Sequence, residues 1–169
     1  MPKHLCHGDS ICIGSSHGWL LFLSHKKQPL LLNPVSAGIQ LLLPPLNTFL
    51  YSIDPEIILR KSGRLWQRRM PKVALSCRPT CGNKTNIGVL LMYNYKDGCN
   101  RLAFCTPADN NWTKLDGQKR YLDVTSDGNC FYALNVDYSV EVWEFTNSLI
   151  PIKKIGNYPS WCALGTKTK

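Results

Sequence analysis

Short apolar segments separated by turn-forming residues run through most of the chain and leave little room for helices. Gly, Pro, Asn and Asp recur between these segments, and the apolar residues do not repeat at the three- and four-residue spacing of an amphipathic helix. The pattern predicts an all-β chain. With 169 residues, of which 44% are hydrophobic, the chain is long enough to bury the core of one domain.

The predicted strands fall into three groups of three or four strands, a repetition typical of radial sheet repeats. The first group comprises strands at 10–13, 19–23, 30–32 and 39–43, the second at 73–77, 87–95, 101–105 and 111–115, and the third at 121–125, 130–134 and 139–145. Within them, Asp97-Gly98 predicts a turn because Asp-Gly tolerates the positive φ that tight hairpins require, and residues 126–129 predict a second turn.

This grouping predicts a partial β-propeller of about three blades of antiparallel strands. The predicted blades span about residues 10–46, 72–115 and 121–150, with tails at 1–9 and 151–169 and a basic linker at 47–71 between the first two blades. A plain β-sandwich is the alternative. An open propeller has unpaired edge strands, so in the propeller a strand at Ile11 or at Val142 would be available to pair with another chain. Trp19, Trp112 and Trp143 lie at strand positions and are expected in the core of the blades.

A series of short motifs follows the same order. They are GSSHGWL at 14–20, LNP at 32–34, IQL at 39–41, LPPL at 43–46, KVALS at 72–76, LAFC at 102–105, Asp109, WT at 112–113, DV at 123–124, Gly128, FYAL at 131–134 and VEVW at 140–143. Over roughly residues 10–145, their order and spacing resemble the β-propeller domain of plant F-box proteins of the kink-suppressor (KIB) type.

The resemblance implies a protein-interaction module. In that family an N-terminal F-box docks on the Skp adaptor of a cullin ubiquitin ligase, and the propeller captures the protein to be ubiquitinated. Here few residues precede the first predicted strand, and complete propellers have about four to eight blades. We therefore expect a truncated substrate receptor without its F-box, which meets the Skp adaptor and cullin only if a longer product carries the F-box.

Positive charge is concentrated in one segment. The net charge is +9, of which residues 1–72 contribute +6. A partner-binding surface is predicted there from Arg60, Lys61, Arg64, Trp66, Arg68 and Arg69, followed by Lys72. The run could attract an acidic protein surface or nucleic acid, which gives the alternative function of a basic nucleic-acid-associated β protein. A solvated linker between blades is the simplest interpretation, and Trp66 is the only aromatic residue in the run that could stack on a base.

No enzymatic activity is expected. Residues 14–18 match the G-x-S-x-G pattern of a hydrolase nucleophile elbow around Ser16. However, a strand-like run follows Ser16, and all four histidines lie at or before His25, so the order serine, acid, histidine cannot be met. A tight turn is the better interpretation.

The histidine and cysteine side chains that could bind a metal are too loosely spaced along the sequence to predict a zinc site, and no other cofactor is predicted. They are His4, Cys6, His7, Cys12, Cys77 and Cys81. With no secretory signal at the N-terminus, the eight cysteines are expected to be reduced. The longest uncharged stretch, 28–53, contains four prolines, so no transmembrane helix is predicted, and the expected location is the cytoplasm or nucleus.

Propellers bind partners through loops at one face of the ring. The candidate contact turns are therefore 96–100, 108–111 and 135–138.

Overall fold

The computed structural model describes residues 10–24, 28–35, 40–46, 71–77, 79, 87–94, 98–115, 119–146 and 152–154. The twelve strands in these ranges form three four-stranded antiparallel sheets, and within each sheet every strand pairs with its neighbour in the sequence. This meander order arises because short turns join consecutive apolar segments, as the sequence predicts.

The first sheet contains β1 (Ser10–Ser16), β2 (Trp19–Ser24), β3 (Pro29–Leu32) and β4 (Gln40–Leu42). The second contains β5 (Lys72–Leu75), β6 (Val89–Asn94), β7 (Asn100–Cys105) and β8 (Thr113–Leu115). The third contains β9 (Tyr121–Asp127), β10 (Cys130–Asn135), β11 (Val140–Glu144) and β12 (Ile152–Lys154). Gly98 has a φ of 78°, which confirms the positive φ predicted for its turn, and Gly128, in the second predicted turn, has a φ of 53°.

The sheets adjoin through their first strands. β1 contacts β5, and β5 contacts β9, so these three strands lie innermost and each sheet extends outward from them as a blade. This arrangement confirms an all-β partial propeller and favours it over a plain sandwich, in which two sheets would stack face to face.

Two apolar clusters fill the spaces between neighbouring blades. The first cluster joins Trp19, Leu21 and Leu23 of the first blade to Leu75 and Leu91 of the middle blade, among others. The second joins residues of the middle and third blades, including Leu90, Phe104, Phe131 and Trp143. Trp19, Trp112 and Trp143 are all buried, which confirms their predicted place in the core.

Two glycines allow close packing between blades. A Cβ on Gly14 of β1 would lie 2.9 Å from Val73 Cγ1 of β5. A Cβ on Gly88 would lie 2.9 Å from Phe104 Cε2 and 3.1–3.2 Å from ring carbons of Phe145 and Phe131. A larger residue at either position would therefore push neighbouring blades apart.

The third blade extends beyond the boundary predicted at residue 150. β12 pairs with β11 and lies in the segment that the sequence analysis assigns to a C-terminal tail. Val142 is consequently in an interior strand, so the expectation that it forms an open edge is wrong. Residues 151–154 contain no strand signal in their own sequence. The contacts that hold Lys153 come from another strand, through Glu141 and Trp143 of β11.

The described part of the chain contains no helix long and apolar enough to cross a membrane.

Candidate functional site

Loops of the middle and third blades meet at one end of the sheets. Asn100 Nδ2 donates to the Tyr121 carbonyl at 2.9 Å, and Arg101 Nη1 donates to the Lys119 carbonyl at 3.2 Å. From the third blade, the Val136 amide donates to the Arg120 carbonyl at 3.0 Å. These bonds join residues 98–101, 119–122 and 135–139 into one surface, which we name the loop end.

The turn from Asn135 to Ser139 is held rigidly by its own polar groups. The Asn135 amide donates to the Ser139 carbonyl at 2.8 Å, and Asn135 Nδ2 donates to Ser139 Oγ at 2.9 Å. The Tyr138 amide donates to the Asn135 carbonyl at 3.0 Å, and Tyr138 has a φ of 63°. A bulky residue in the left-handed region is uncommon and costs about 1–2 kcal/mol, so this turn holds a strained tyrosine in a fixed place.

Asp137 completes the turn. Its Oδ1 accepts hydrogen bonds from the Ser139 hydroxyl at 2.6 Å and from the Ser139 amide at 2.9 Å. These two bonds hold the pKa of the exposed Asp137 carboxyl below its ordinary value, with the side-chain bond having the larger effect. The carboxylate therefore stays ionised and continues to brace the turn in mildly acidic solution.

The loop end exposes three large apolar side chains. Leu122 is 42%, Val136 49% and Tyr138 54% exposed. Lys119 and Arg120 are exposed beside them, and Arg101 is half-buried. An apolar and aromatic surface next to cationic side chains has the composition of a protein-binding surface, in which tyrosine and arginine contribute most of the affinity.

A buried carboxylate supports this end from beneath. Glu141 is only 5% exposed, and it forms ion pairs with Lys119 and, at 2.7 Å, with Lys153. The Tyr121 hydroxyl donates to Glu141 Oε2 at 3.0 Å. Burial raises the pKa of Glu141, but the hydrogen bonds from Lys119, Lys153 and Tyr121 outweigh it, so the pKa is lowered overall. The ionised carboxylate thus ties β9, β11 and β12 together below the loop end.

Comparison with known proteins places this architecture in a family. A family model described as the KIB1-4 beta-propeller matches residues 1–168. The chain belongs to this family. The match confirms the resemblance seen in residues 10–145 and extends it over nearly the whole sequence. No curated protein and no solved structure matches the chain.

The KIB1-4 propeller does not bring all three predicted contact turns together. Gly98–Asn100, from the first turn, and 135–138 lie at the loop end. Residues 108–111 follow β7 at its other terminus, near Cys105, which a six-residue strand places about 17–20 Å away. The expectation of one shared face therefore holds for two of the three turns, because the hairpin at 108–111 opens in the opposite direction.

The predicted basic surface lies outside the described residues. This applies to Arg60, Lys61, Arg64, Trp66, Arg68 and Arg69. Lys72, the last residue of the run, begins β5, and its Nζ forms an ion pair with Asp123 Oδ1 of β9 at 2.7 Å. This exposed pair joins the first strands of the middle and third blades.

Ser16 lies at the end of β1 and joins two blades. The Leu75 amide of β5 donates to Ser16 Oγ at 3.1 Å, and His17 Nδ1 lies 3.1 Å from the same oxygen. His17 and Gly18 have φ of 52° and 77° and turn the chain directly into β2. The tight turn predicted over residues 14–18 is therefore confined to His17 and Gly18, because residues 14–16 continue β1.

Among the described residues, no group of three or more His, Cys, Asp or Glu side chains is placed to hold a metal ion. His4, Cys6, His7 and Cys81, which belong to the loose set of ligand types, are not among those residues. Among the described cysteines, Cys12, Cys105 and Cys130 are free thiols. Burial, and to a smaller extent the nearby Asp109 carboxylate, raises the pKa of the Cys105 thiol, so it behaves as a small apolar side chain.

Sequence reasoning overlooked Glu141 and its partners Lys119 and Lys153. A glutamate between two valines is typical of the exposed face of a strand, and Lys153 is in the predicted tail. The available signal was Trp143, which is two residues after Glu141 and therefore on the same face of β11. A large aromatic residue on that face indicates burial for its neighbour.

Proposed function

We propose that this KIB1-4 propeller is a protein-binding module, the substrate receptor of an F-box ubiquitin ligase, and that the loop end contacts the captured protein. The observation that carries the proposal is Tyr138, a large aromatic residue that is exposed and held in a strained conformation by an ordered turn. Strain of this kind is concentrated at functional sites. Because the turn is already ordered, binding loses little conformational entropy.

The chemistry of the loop end indicates the kind of partner. Leu122, Val136 and Tyr138 provide apolar contact, while Lys119 and Arg120 provide positive charge at its border. A complementary partner carries an apolar side chain flanked by acidic residues. Under this proposal the chain carries out no reaction of its own, and the Skp adaptor and cullin join through an F-box in a longer product.

Affinity capture from plant extract tests the proposal. The wild-type chain is compared with the double variant Val136→Ser, Tyr138→Ser and with the control Val35→Ser, which removes a still more exposed apolar side chain from the first blade. We expect the same proteins on the wild type and the control, and their loss from the double variant. Capture that is identical on all three baits would contradict the assignment of the loop end.

Nucleic-acid binding is the second candidate, supported by the net charge of +9 and by the basic run that leads into Lys72. It predicts an affinity that falls steeply with salt and is lost when Arg64, Arg68 and Arg69 are replaced by alanine. Binding that is absent or insensitive to salt would rule it out. The same triple variant should leave capture by the loop end unchanged, so the two functions can be separated.

A further inference from the structure

The buried carboxylate beneath the loop end is shared by two lysines from different parts of the third blade. Among the described residues, Lys119 and Lys153 both donate to Glu141 Oε1, and the Tyr121 hydroxyl donates to Oε2 at 3.0 Å. Lys119 precedes β9 and belongs to the loop end, whereas Lys153 lies on β12. One carboxylate therefore holds a lysine of the proposed binding surface and a lysine of a strand behind it.

Lys153 is held at two points. Its Nζ forms an ion pair with Glu141 at 2.7 Å and lies 5.5 Å from the centre of the ring of Trp143, which is buried. A cation over an aromatic face is attracted by the electrons of the ring, and the contact is stronger where water is excluded. Lys153 can therefore keep Glu141 paired when Lys119 moves.

Lys119 is placed to reach a bound partner. Its side chain is 46% exposed, whereas that of Glu141 is 5% exposed. Its charge also acts on the turn that carries Tyr138: hydrogen bonds from Ser139 are the main cause that lowers the pKa of the Asp137 carboxyl, and Lys119 contributes to the decrease. The ammonium group of Lys119 thus lies close to both the buried carboxylate and the exposed turn.

Moving Lys119 away from Glu141 costs little as long as the carboxylate keeps its other donors. An ion pair with a partner this exposed contributes little to stability. A buried carboxylate that loses every cation is strongly destabilising, but Lys153 and the Tyr121 hydroxyl remain in place. Lys119 can then turn its ammonium group toward a carboxylate of the partner, and exclusion of water by that partner strengthens the attraction.

We propose that Lys119 is the residue by which the loop end selects acidic partners, and that it does so by exchange. On binding, its ammonium group leaves Glu141 for a carboxylate of the captured protein, while Lys153 holds Glu141 in place. Lys153 is a positioning residue, since it affects binding without touching the partner. The inference rests on the function proposed for the loop end and adds to it the cation that recognises the acidic residue.

Synthetic peptides with one leucine flanked by glutamates provide a defined probe, and the same peptides with glutamine in place of glutamate are the matched control. Fluorescence anisotropy measures their affinity for the whole chain. We expect the glutamate peptides to bind the wild-type chain more tightly than the glutamine peptides. Lys119→Met should weaken binding of the glutamate peptides by about tenfold. The control Lys114→Met, which removes an exposed lysine from β8, should leave that binding unchanged.

Two variants beneath the surface separate exchange from simple support. Glu141→Gln removes the competitor for Lys119, so the glutamate peptides should bind more tightly. In Lys153→Met the departure of Lys119 leaves Glu141 without either lysine, so binding should weaken by about tenfold. Lys153→Arg keeps a cation beside Glu141 and should bind as the wild type does. In a chain that already carries Lys119→Met, adding Lys153→Met should have no further effect.

The outcomes distinguish this inference from the proposed function. Peptides that do not bind the wild type, or that bind the double variant Val136→Ser, Tyr138→Ser equally well, would contradict the function of the loop end and the inference with it. Binding that needs Tyr138 but not Lys119 would overturn the inference alone.

The variants of the buried pair provide the second decision. An unchanged affinity in Lys153→Met would show that Lys119 does not leave Glu141 on binding. Weaker binding in both Glu141→Gln and Lys153→Met would also overturn the exchange, because a purely structural role of the carboxylate lowers binding in both. Circular dichroism and urea denaturation establish that each variant is folded at the temperature of the measurement.

Discussion

Strands β6 and β10 hold the same position in their sheets and have the same length, yet their burial differs. Five of the six residues of β6 are buried in succession, whereas in β10 buried and half-buried residues alternate. The difference arises because the middle blade has a neighbour on each side and the third blade has a described neighbour on one side only. In this fold the position of a sheet in the array determines how much of it forms core.

The fourth strands of the two blades differ in the same way. β8 of the middle blade is secured by Leu115, which is buried in the second apolar cluster. β12 of the third blade is secured by Lys153, which forms an ion pair with Glu141 and lies 5.5 Å from the centre of the Trp143 ring. The middle blade is therefore held mainly by apolar packing, and the border of the third blade by charge.

The largest effect is expected from truncating a side chain of the middle blade. Leu90→Ala removes a fully buried side chain and should lower the free energy of unfolding by about 2–5 kcal/mol. Leu42→Ala, at a position of β4 that is 64% exposed, should change it by less than about 0.5 kcal/mol. Urea denaturation of both variants checks this, and equal losses would contradict the difference between the blades.

A smaller loss is expected from filling the space at Gly88. Gly88→Ala places a methyl group against Phe104, Phe145 and Phe131 and should cost about 1–3 kcal/mol. Combining it with Phe104→Leu should give less than the sum of the two separate losses, because the leucine makes room for the methyl group. The control Gly98→Ala meets no atom within 4 Å and tests the cost of positive φ alone. Strict additivity at Gly88 would show that the space is not limiting.

Removing the charge of Glu141 tests the charged support of the third blade. Glu141→Gln weakens the ion pairs with Lys119 and Lys153 and should cost about 2 kcal/mol at neutral pH. The pKa of Glu141 in the folded chain is below its value in the unfolded chain, so the stabilisation is complete above the unfolded pKa and is lost as pH falls through the folded pKa. Acid titration of stability should therefore show a smaller decrease for the variant, and parallel curves would contradict this.

The smallest effect on stability is a gain. Tyr138→Gly relieves the positive φ of the loop-end turn and should raise the free energy of unfolding by up to about 1 kcal/mol. The same variant should lose the captured protein, so stability and binding change in opposite directions. Thermal unfolding and affinity capture on one preparation measure both, and a destabilised variant would show that the tyrosine packs favourably in place.

The local sequence predicted most of the strands and turns. The continuous apolar run of β6 and the Asp-Gly turns can each be recognised from a few consecutive residues, because strand periodicity and turn chemistry are local properties of the sequence. β12 could not be predicted this way, since Lys153 is held by residues of the preceding strand.

The candidate site was harder to predict than the fold. The turn at 135–138 was identified as a contact loop, but the strain of Tyr138 and the burial of Glu141 depend on side chains from other strands. The turn at 135–138 adjoins residues 98–101 and 119–122 only because hydrogen bonds link loops of neighbouring blades. Periodicity in one strand contains no information about such contacts.

Native-state hydrogen exchange, resolved for each strand in dilute protein, tests most directly the claim that the doubly covered middle blade is the stable centre of the fold. The account predicts that amides of β6 and β7 exchange only through global unfolding, while those of β3, β11 and β12 exchange earlier through local opening. Equal protection in all three blades, or the greatest protection in the third, would contradict it.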